Sequence, residues 1–190
     1  GAWMSMYLGW RTAYLFLGCL AILGIIFLLI SKDNFDSKPN KIKLQFSLSR
    51  AQILIISVAS LWGLAHQGLF NFLPYYFKDS VQTEWGIILG SGILTGLVLI
   101  FGIIGQLLGG KLGGHFKRKN VFIWVIGLNI PFLISMAYFN GWILVCITGI
   151  LGAVNFMFQP INNSLLADVT KSDQRGIIYG FSAGISFSVG

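Results

Sequence analysis

Long apolar runs separated by short polar stretches organise the chain. The runs cover residues 10–31, 53–77, 85–112, 121–139 and 141–167, and a sixth begins near residue 176. Each complete run approaches or exceeds the ~20 residues that a helix needs to cross a bilayer core of roughly 30 Å. Hydrocarbon offers no partner to a free backbone amide, and the runs are about twice the length of a ~10-residue barrel strand, so each is expected to be a helix. The predicted fold is therefore all-α, a polytopic transmembrane helical bundle of five complete spans and a truncated sixth.

Composition agrees with that reading. Hydrophobic residues make up 55% of the 190 and charged residues 10%, with a mean hydropathy of +0.77, which excludes soluble enzymes and disordered tails. The first run is too long for the apolar part of a signal peptide and lacks a cleavage signal after it, so it is expected to span. The sequence opens at Gly1 and stops at Gly190 within an apolar run, and a piece of a longer protein is expected.

A net charge of +7 raises the question of nucleic acid, but the placement of the charges answers it. Lys32, Lys38, Lys41, Lys43, Arg50, Lys111, Lys117, Arg118, Lys119, Lys171 and Arg175 all belong to the first, third and fifth loops or their helix ends, which leaves Arg11 and Lys78 for the opposite side. Short loops rich in Lys and Arg resist translocation, so the first, third and fifth loops are expected to be cytoplasmic and no nucleic-acid partner is expected. Cys19 and Cys146 sit alone in apolar runs, without metal-ligand or disulfide spacing. No metal or other cofactor is expected.

Within the spans the small and polar residues are patterned. Gly105, Gly109 and Gly113 recur every four residues, with Gly110 and Gly114 on the neighbouring stripe, a spacing that lets helices approach closely. Pro74, Pro131 and Pro160 each remove an amide donor, and kinks are expected there. In the second span Ser60, Gly63, Gln67, Asn71 and Pro74 follow steps of three and four, with Trp62 and His66 on the adjacent stripe; in the fifth, Thr148, Gly152, Asn155, Gln159 and Asn162 do the same. At 1.5 Å per residue Gln67 and Asn155 both lie roughly 20 Å from the cytoplasmic side, near mid-depth. Two readings are open. The stripes either wall a path for a neutral solute, or tie helices together through bonds of about 0.6–2 kcal/mol each. His66 either carries protons or is a neutral hydrogen-bonded partner, and Gln106 is a weaker candidate among the glycines.

Motifs of enzymes fail in context. Gly180-Phe181-Ser182-Ala183-Gly184 has the letters of a nucleophile elbow but opens an apolar helix. Gly90-Ser91-Gly92 with Gly96 misses the dinucleotide fingerprint by one residue, and Asn162-Asn163-Ser164 is a glycosylation sequon on the cytoplasmic half of a span. All six carboxylates, Asp33, Asp36, Asp79, Glu84, Asp168 and Asp173, lie in loops or at helix ends. An enzyme is not expected.

The order of features resembles the major facilitator superfamily from its sixth helix to the start of its eleventh. Gly9-Trp10-Arg11 is similar to the GWR that often precedes helix six, and the basic stretch after the first span is similar to the linker between the two six-helix halves. The segment from Gly110 to Lys119, GKLGGHFKRK, is similar to the motif between helices eight and nine: Gly110, Leu112, Arg118 and Lys119 agree, whereas Gly114 replaces an Asp and His115 an Arg. Leu166-Ala167-Asp168 and Gln174-Arg175-Gly176 resemble the junction of helices ten and eleven.

The resemblance implies a secondary transporter that rocks two halves around a midplane site, with residues 1–31 as the last helix of the first half, 32–52 as the cytoplasmic linker and 53–190 as the second-half bundle. It implies ion-gradient coupling, a small-molecule solute, a lipid bilayer around the chain and first-half helices of the same protein as partners, in a bacterial or archaeal cell membrane. The substrate-binding residues are expected to be Trp62, His66, Gln67, Asn71, Asn155 and Gln159. Arg118 and Asp168 are expected to pair as a cytoplasmic gate, because Gly114 leaves the basic turn without its usual acid. The alternative is a receptor or scaffold that keeps the fold without transport.

Overall fold

The computed structural model describes residues 10–30, 48–81 and 90–189. Among these residues there is no strand. The chain divides into two units, Gly1–Lys43 and Leu44–Gly190. The described part of the first is α1 (Trp10–Ile30), whose 21 residues span about 31 Å at 1.5 Å per residue. Its described side chains are largely exposed, with Ile30 at 73% and Leu15 at 69%, as suits a surface that faces lipid.

The second unit contains α2 (Arg50–Ser80), α3 (Ser91–His115), α4 (Arg118–Met136), α5 (Gly141–Asp168) and α6 (Arg175–Val189). The first four of these are long and apolar enough to cross a membrane. Helix α2 begins three residues before the predicted run because Ser49 and Gln52 form a capping box: the Ser49 hydroxyl accepts from the Gln52 amide at 3.2 Å, and Gln52 Oε1 accepts from the Ser49 amide at 2.8 Å. The other end of the Gln52 amide donates to Thr170 Oγ1 at 3.0 Å and the Val169 carbonyl at 3.2 Å. The start of α2 and the turn after α5 therefore lie at the same end of the unit. Gly141 opens α5 with φ 61°, a conformation that a side chain would strain.

Helices α3 and α5 run parallel in tight register. Phe101 meets Gly149, Gly105 meets Ala153, Gly109 meets Met157 and Gly113 meets Ile161. A Cβ on Gly105 would run into the Ala153 carbonyl, and one on Gly109 would come within 2.6 Å of the Met157 carbonyl oxygen. From the other side Val98 fills the space over Gly152, where a Cβ would lie 2.7 Å from its Cγ1. The Gly105 stripe thus brings two backbones together, as its spacing predicts. The neighbouring stripe does not: Gly110 and Gly114 face open space.

Helix α4 connects α3 and α5 in the chain, runs antiparallel to α5 and packs against α5 and α2. Val121, Phe122 and Val125 pack with Ala59, Phe158 and Ile161 in one core, Leu73, Phe77, Leu94, Val98, Leu144 and Leu151 form a second, and Ile55, Ile56, Leu166 and Ile178 a third. Tyr76 ties α2 to the end of α4 by donating to the Met136 carbonyl. Pro74, Pro131 and Pro160 lie inside α2, α4 and α5, which continue through them. The 82–89 stretch, with Glu84 and the predicted start of the third span, lies outside the described residues, as do Lys32, Lys38, Lys41 and Lys43.

Candidate functional site

Helices α2 and α5 run antiparallel and meet at mid-length. Trp62, Gly63, His66 and Gln67 share one face of α2 at helical spacing, and Asn155, Gln159 and Asn162 share one face of α5. Gly63 lets α6 close the third side, since a Cβ there would strike the Ser186 carbonyl. The three helices enclose a cavity of about 200 Å³. Trp62, His66, Gln67, Gln159, Asn162, Tyr179 and Ser182 contribute its polar groups, and Ala59, Phe156 and Phe158 part of its apolar wall. Among the described residues no Asp, Glu, Lys or Arg lines it.

Aromatic rings hold His66 in place. Its imidazole stacks on Trp62 at 4.6 Å, tilts against Phe70 at 4.6 Å and meets Phe156 edge-on at 5.3 Å between ring centroids. Trp62 also stacks on Phe158 at 4.4 Å, and Phe158 in turn meets Phe122 of α4 at 5.1 Å.

A line of hydrogen bonds runs from His66 into α4. His66 Nδ1 lies 2.6 Å from Asn155 Oδ1. Asn155 Nδ2 donates to Asn129 Oδ1 at 3.2 Å, and Asn129 Nδ2 donates to the Val125 carbonyl at 2.7 Å. Asn155 and Asn129 are both buried. Two other polar atoms have no such outlet. Trp62 Nε1 and Asn162 Oδ1 are buried without a hydrogen-bond partner among the described residues, and both residues line the cavity.

The predicted site residues thus fall into three groups. Trp62, His66, Gln67 and Gln159 line the cavity, Gln159 also accepting from Gln106 Nε2 at 3.2 Å. Asn155 lies behind the wall and reaches it through His66. Asn71 is exposed and away from the cavity. Two members of the polar stripes satisfy themselves locally, for Ser60 donates to the Ile56 carbonyl and Thr148 to those of Leu144 and Val145. Periodicity overlooked Asn129, although an amide alone in the apolar run 121–139 is a signal in itself. Tyr179 and Ser182 come from α6, which contributed no residue to the predicted site.

At the end of the bundle marked by Gln52 and Thr170, Arg118 forms an ion pair with Asp168 and its Nε donates to the Gly113 carbonyl at 3.2 Å. Each partner opposes its own helix dipole, a cation in the first turn of α4 and an anion in the last turn of α5, so each offsets the other's unfavourable position. Both side chains are partly exposed, at 38% and 47%.

Among the described residues no group of three or more His, Cys, Asp or Glu is placed to hold a metal ion. No curated protein and no solved structure matches the chain. The sequence profile of the Major Facilitator Superfamily does, over residues 1–190. With a helical bundle whose spans alternate in direction, and apolar faces suited to lipid, the chain belongs to the major facilitator superfamily and is an integral, multi-pass membrane protein of a transporter family.

Proposed function

We propose that this chain is part of a secondary active transporter that moves a small, neutral, hydrogen-bonding solute by alternating access, with the α2–α5–α6 cavity as its share of the solute site. The observation that carries this reading is the pair of buried atoms without a partner among the described residues, Trp62 Nε1 and Asn162 Oδ1, on side chains that line the cavity from α2 and α5. A buried polar atom left unpaired costs about 1–3 kcal/mol. Residues kept only to tie helices together would be paired in the folded protein, as Asn155 and Asn129 are. An unpaired donor and an unpaired acceptor beside the same cavity suit a ligand that brings both complements. The absence of charge from the lining favours sugars, neutral metabolites and amphipathic drugs over ions.

Trp62, His66, Gln67 and Gln159 are assigned to the solute, Asn155 supports His66, and Asn71 is left out. Among the described lining residues His66 is the one that can take up a proton as a cation, which makes it the position through which a proton gradient would couple. Its replacement by Gln should then abolish gradient-driven accumulation and leave exchange intact. Arg118 and Asp168 are assigned to a gate at the cytoplasmic end.

The test is counterflow in proteoliposomes containing the full-length protein, with a panel of labelled sugars, neutral metabolites and amphipathic drugs. Saturable, substrate-dependent counterflow that weakens in the Gln67→Leu variant is expected. No counterflow with any member of the panel would favour a receptor or scaffold.

A further inference from the structure

We infer that Asn129, on α4 and outside the α2–α5–α6 cavity, fixes the tautomer of His66 and thereby makes the cavity select solutes that donate an N–H or O–H to His66 Nε2. The recognition half of this inference rests on the cavity being the solute site; the tautomer half does not.

The direction of the hydrogen-bond line is set at its far end. A backbone carbonyl can only accept, so the Asn129 group at 2.7 Å from the Val125 oxygen has to be the NH2. Its oxygen then faces Asn155 and accepts, which requires the Asn155 NH2 at the 3.2 Å contact. The Asn155 oxygen is left for His66, and an amide oxygen at 2.6 Å requires a proton on Nδ1. Reversing Asn129 would set oxygen against oxygen at Val125, and reversing Asn155 would set oxygen against oxygen at Asn129. Three helices thus relay one constraint from a main-chain carbonyl to an imidazole.

A neutral imidazole protonated at Nδ1 has a bare acceptor at Nε2. The rings around it, Trp62, Phe70 and Phe156, contain no acceptor that would reward the other tautomer. Among the described residues Nε2 has no hydrogen-bond partner, while the ring lines the cavity. A solute hydroxyl or N–H satisfies it. A solute carbonyl or ether oxygen in the same place meets lone pair with lone pair.

Asn129 is accordingly a positioning residue. The Asn129→Leu variant removes the acceptor that holds the Asn155 amide in its orientation, so that amide can turn either way and the Nε2–H tautomer becomes available. The Asn129→Asp variant keeps a carboxyl oxygen that accepts from the Asn155 amide in either protonation state, and so holds that amide in its orientation.

The experiment is 15N NMR of imidazole-labelled full-length protein in nanodiscs, in alkaline buffer that keeps imidazole neutral, with His66 signals assigned by their loss in His66→Gln. The wild type should show Nδ1 protonated and Nε2 bare. The Nε2–H form should become comparable to the Nδ1–H form in Asn129→Leu and return to a minor species in Asn129→Asp. A wild type dominated by Nε2–H, or an unchanged tautomer ratio in a folded Asn129→Leu, would overturn the relay. Phenol and anisole then probe recognition, since a cavity of this size admits a single ring and only phenol donates. Phenol should move the Nε2 resonance and anisole should not, with the half-saturating phenol concentration about tenfold higher in Asn129→Leu. No response to phenol while Nδ1–H is intact would overturn the solute site and leave the relay standing.

Discussion

The two sides of α5 are both built from residues that withhold something, and they do opposite work. Toward α3, Gly149, Gly152 and Ala153 offer little or no side chain, and two backbones close into contact. Toward α2 and α6, Asn155, Gln159 and Asn162 present amides, and the helices stay apart around a cavity. Small residues alone do not explain the difference, since Gly63 on the cavity side also brings α6 close. What separates the regions is polar satisfaction. Across the seam the polar side chains are paired, Gln106 donating to Gln159 at 3.2 Å, whereas at the cavity two buried atoms have no partner among the described residues. A transporter that rocks needs both kinds of surface: one that moves as a rigid pair, and one whose interactions are completed by something that comes and goes.

The comparison breaks most visibly at the seam. Gly105→Ala places a methyl group where the Ala153 carbonyl stands, and overpacking of this kind costs about 1–3 kcal/mol, more where backbone has to move. A clear fall in the thermal unfolding midpoint of purified protein is expected. Gly110→Ala, on the open stripe, should unfold at or slightly above the wild-type temperature, because Ala is the better helix former by roughly 0.8–1.0 kcal/mol. Equal loss in both variants would show that the seam is not what holds α3 and α5 together.

At the cavity the same type of measurement should run the other way. Asn162→Leu removes a buried unpaired oxygen, a change that relieves about 1–3 kcal/mol of unmet hydrogen bonding, less whatever the new methyl groups cost in packing. The variant is expected to be as stable as the wild type or more so, and yet to bind solute about tenfold more weakly, which corresponds to ~1.4 kcal/mol. Gln67→Leu should show the same loss of affinity with little change in stability. Asn155→Leu should differ from both, because it breaks the bonds to His66 and Asn129 and should lower stability and affinity together. If Asn162→Leu destabilised the protein while transport kinetics stayed normal, the cavity would be a packing defect.

How much of this was legible in the sequence follows the same division. Span positions and the Gly105 stripe depend on burial and steric size, which periodicity reports directly; the runs 53–77 and 141–167 agree with α2 and α5 to within about three residues at each end. The start of α2 departs from the hydrophobic pattern because Ser49 and Gln52 cap it, and capping is written in polar residues. Parts of the two polar stripes, Gly63 and Gln67 on α2 and Gln159 and Asn162 on α5, line the cavity. The pattern did not say which stripe residues reach across. Ser60 and Thr148 bond to their own helices while Asn155 bonds to two others, and that choice depends on the register set elsewhere by the glycine seam. Asn129 belongs to no stripe, so its role emerged only once α4 was seen to place it beside Asn155.

The smallest expected effect is at the ion pair, where the sequence named both partners and the structure joins them. Exposed pairs contribute about 0–1 kcal/mol, so neither Arg118→Gln nor Asp168→Asn should change the unfolding midpoint measurably, in contrast to Gly105→Ala. A difference of that size still shifts a conformational equilibrium several-fold when the pair exists in only one of two states. The expectation from the basic residues is that this end of the bundle is cytoplasmic, and it can be checked first. In a background without native cysteines, Lys117→Cys should be shielded from an impermeant thiol reagent added outside intact cells and Asn140→Cys should be labelled. With the side established, cross-linking across the cytoplasmic mouth reads the equilibrium. Each single variant should favour the inward-open state, and exchanging the two charges should restore part of the balance. Unchanged cross-linking in both single variants would reduce Arg118 and Asp168 to charges that offset two helix dipoles, and the moving parts of the molecule would have to be sought away from this end.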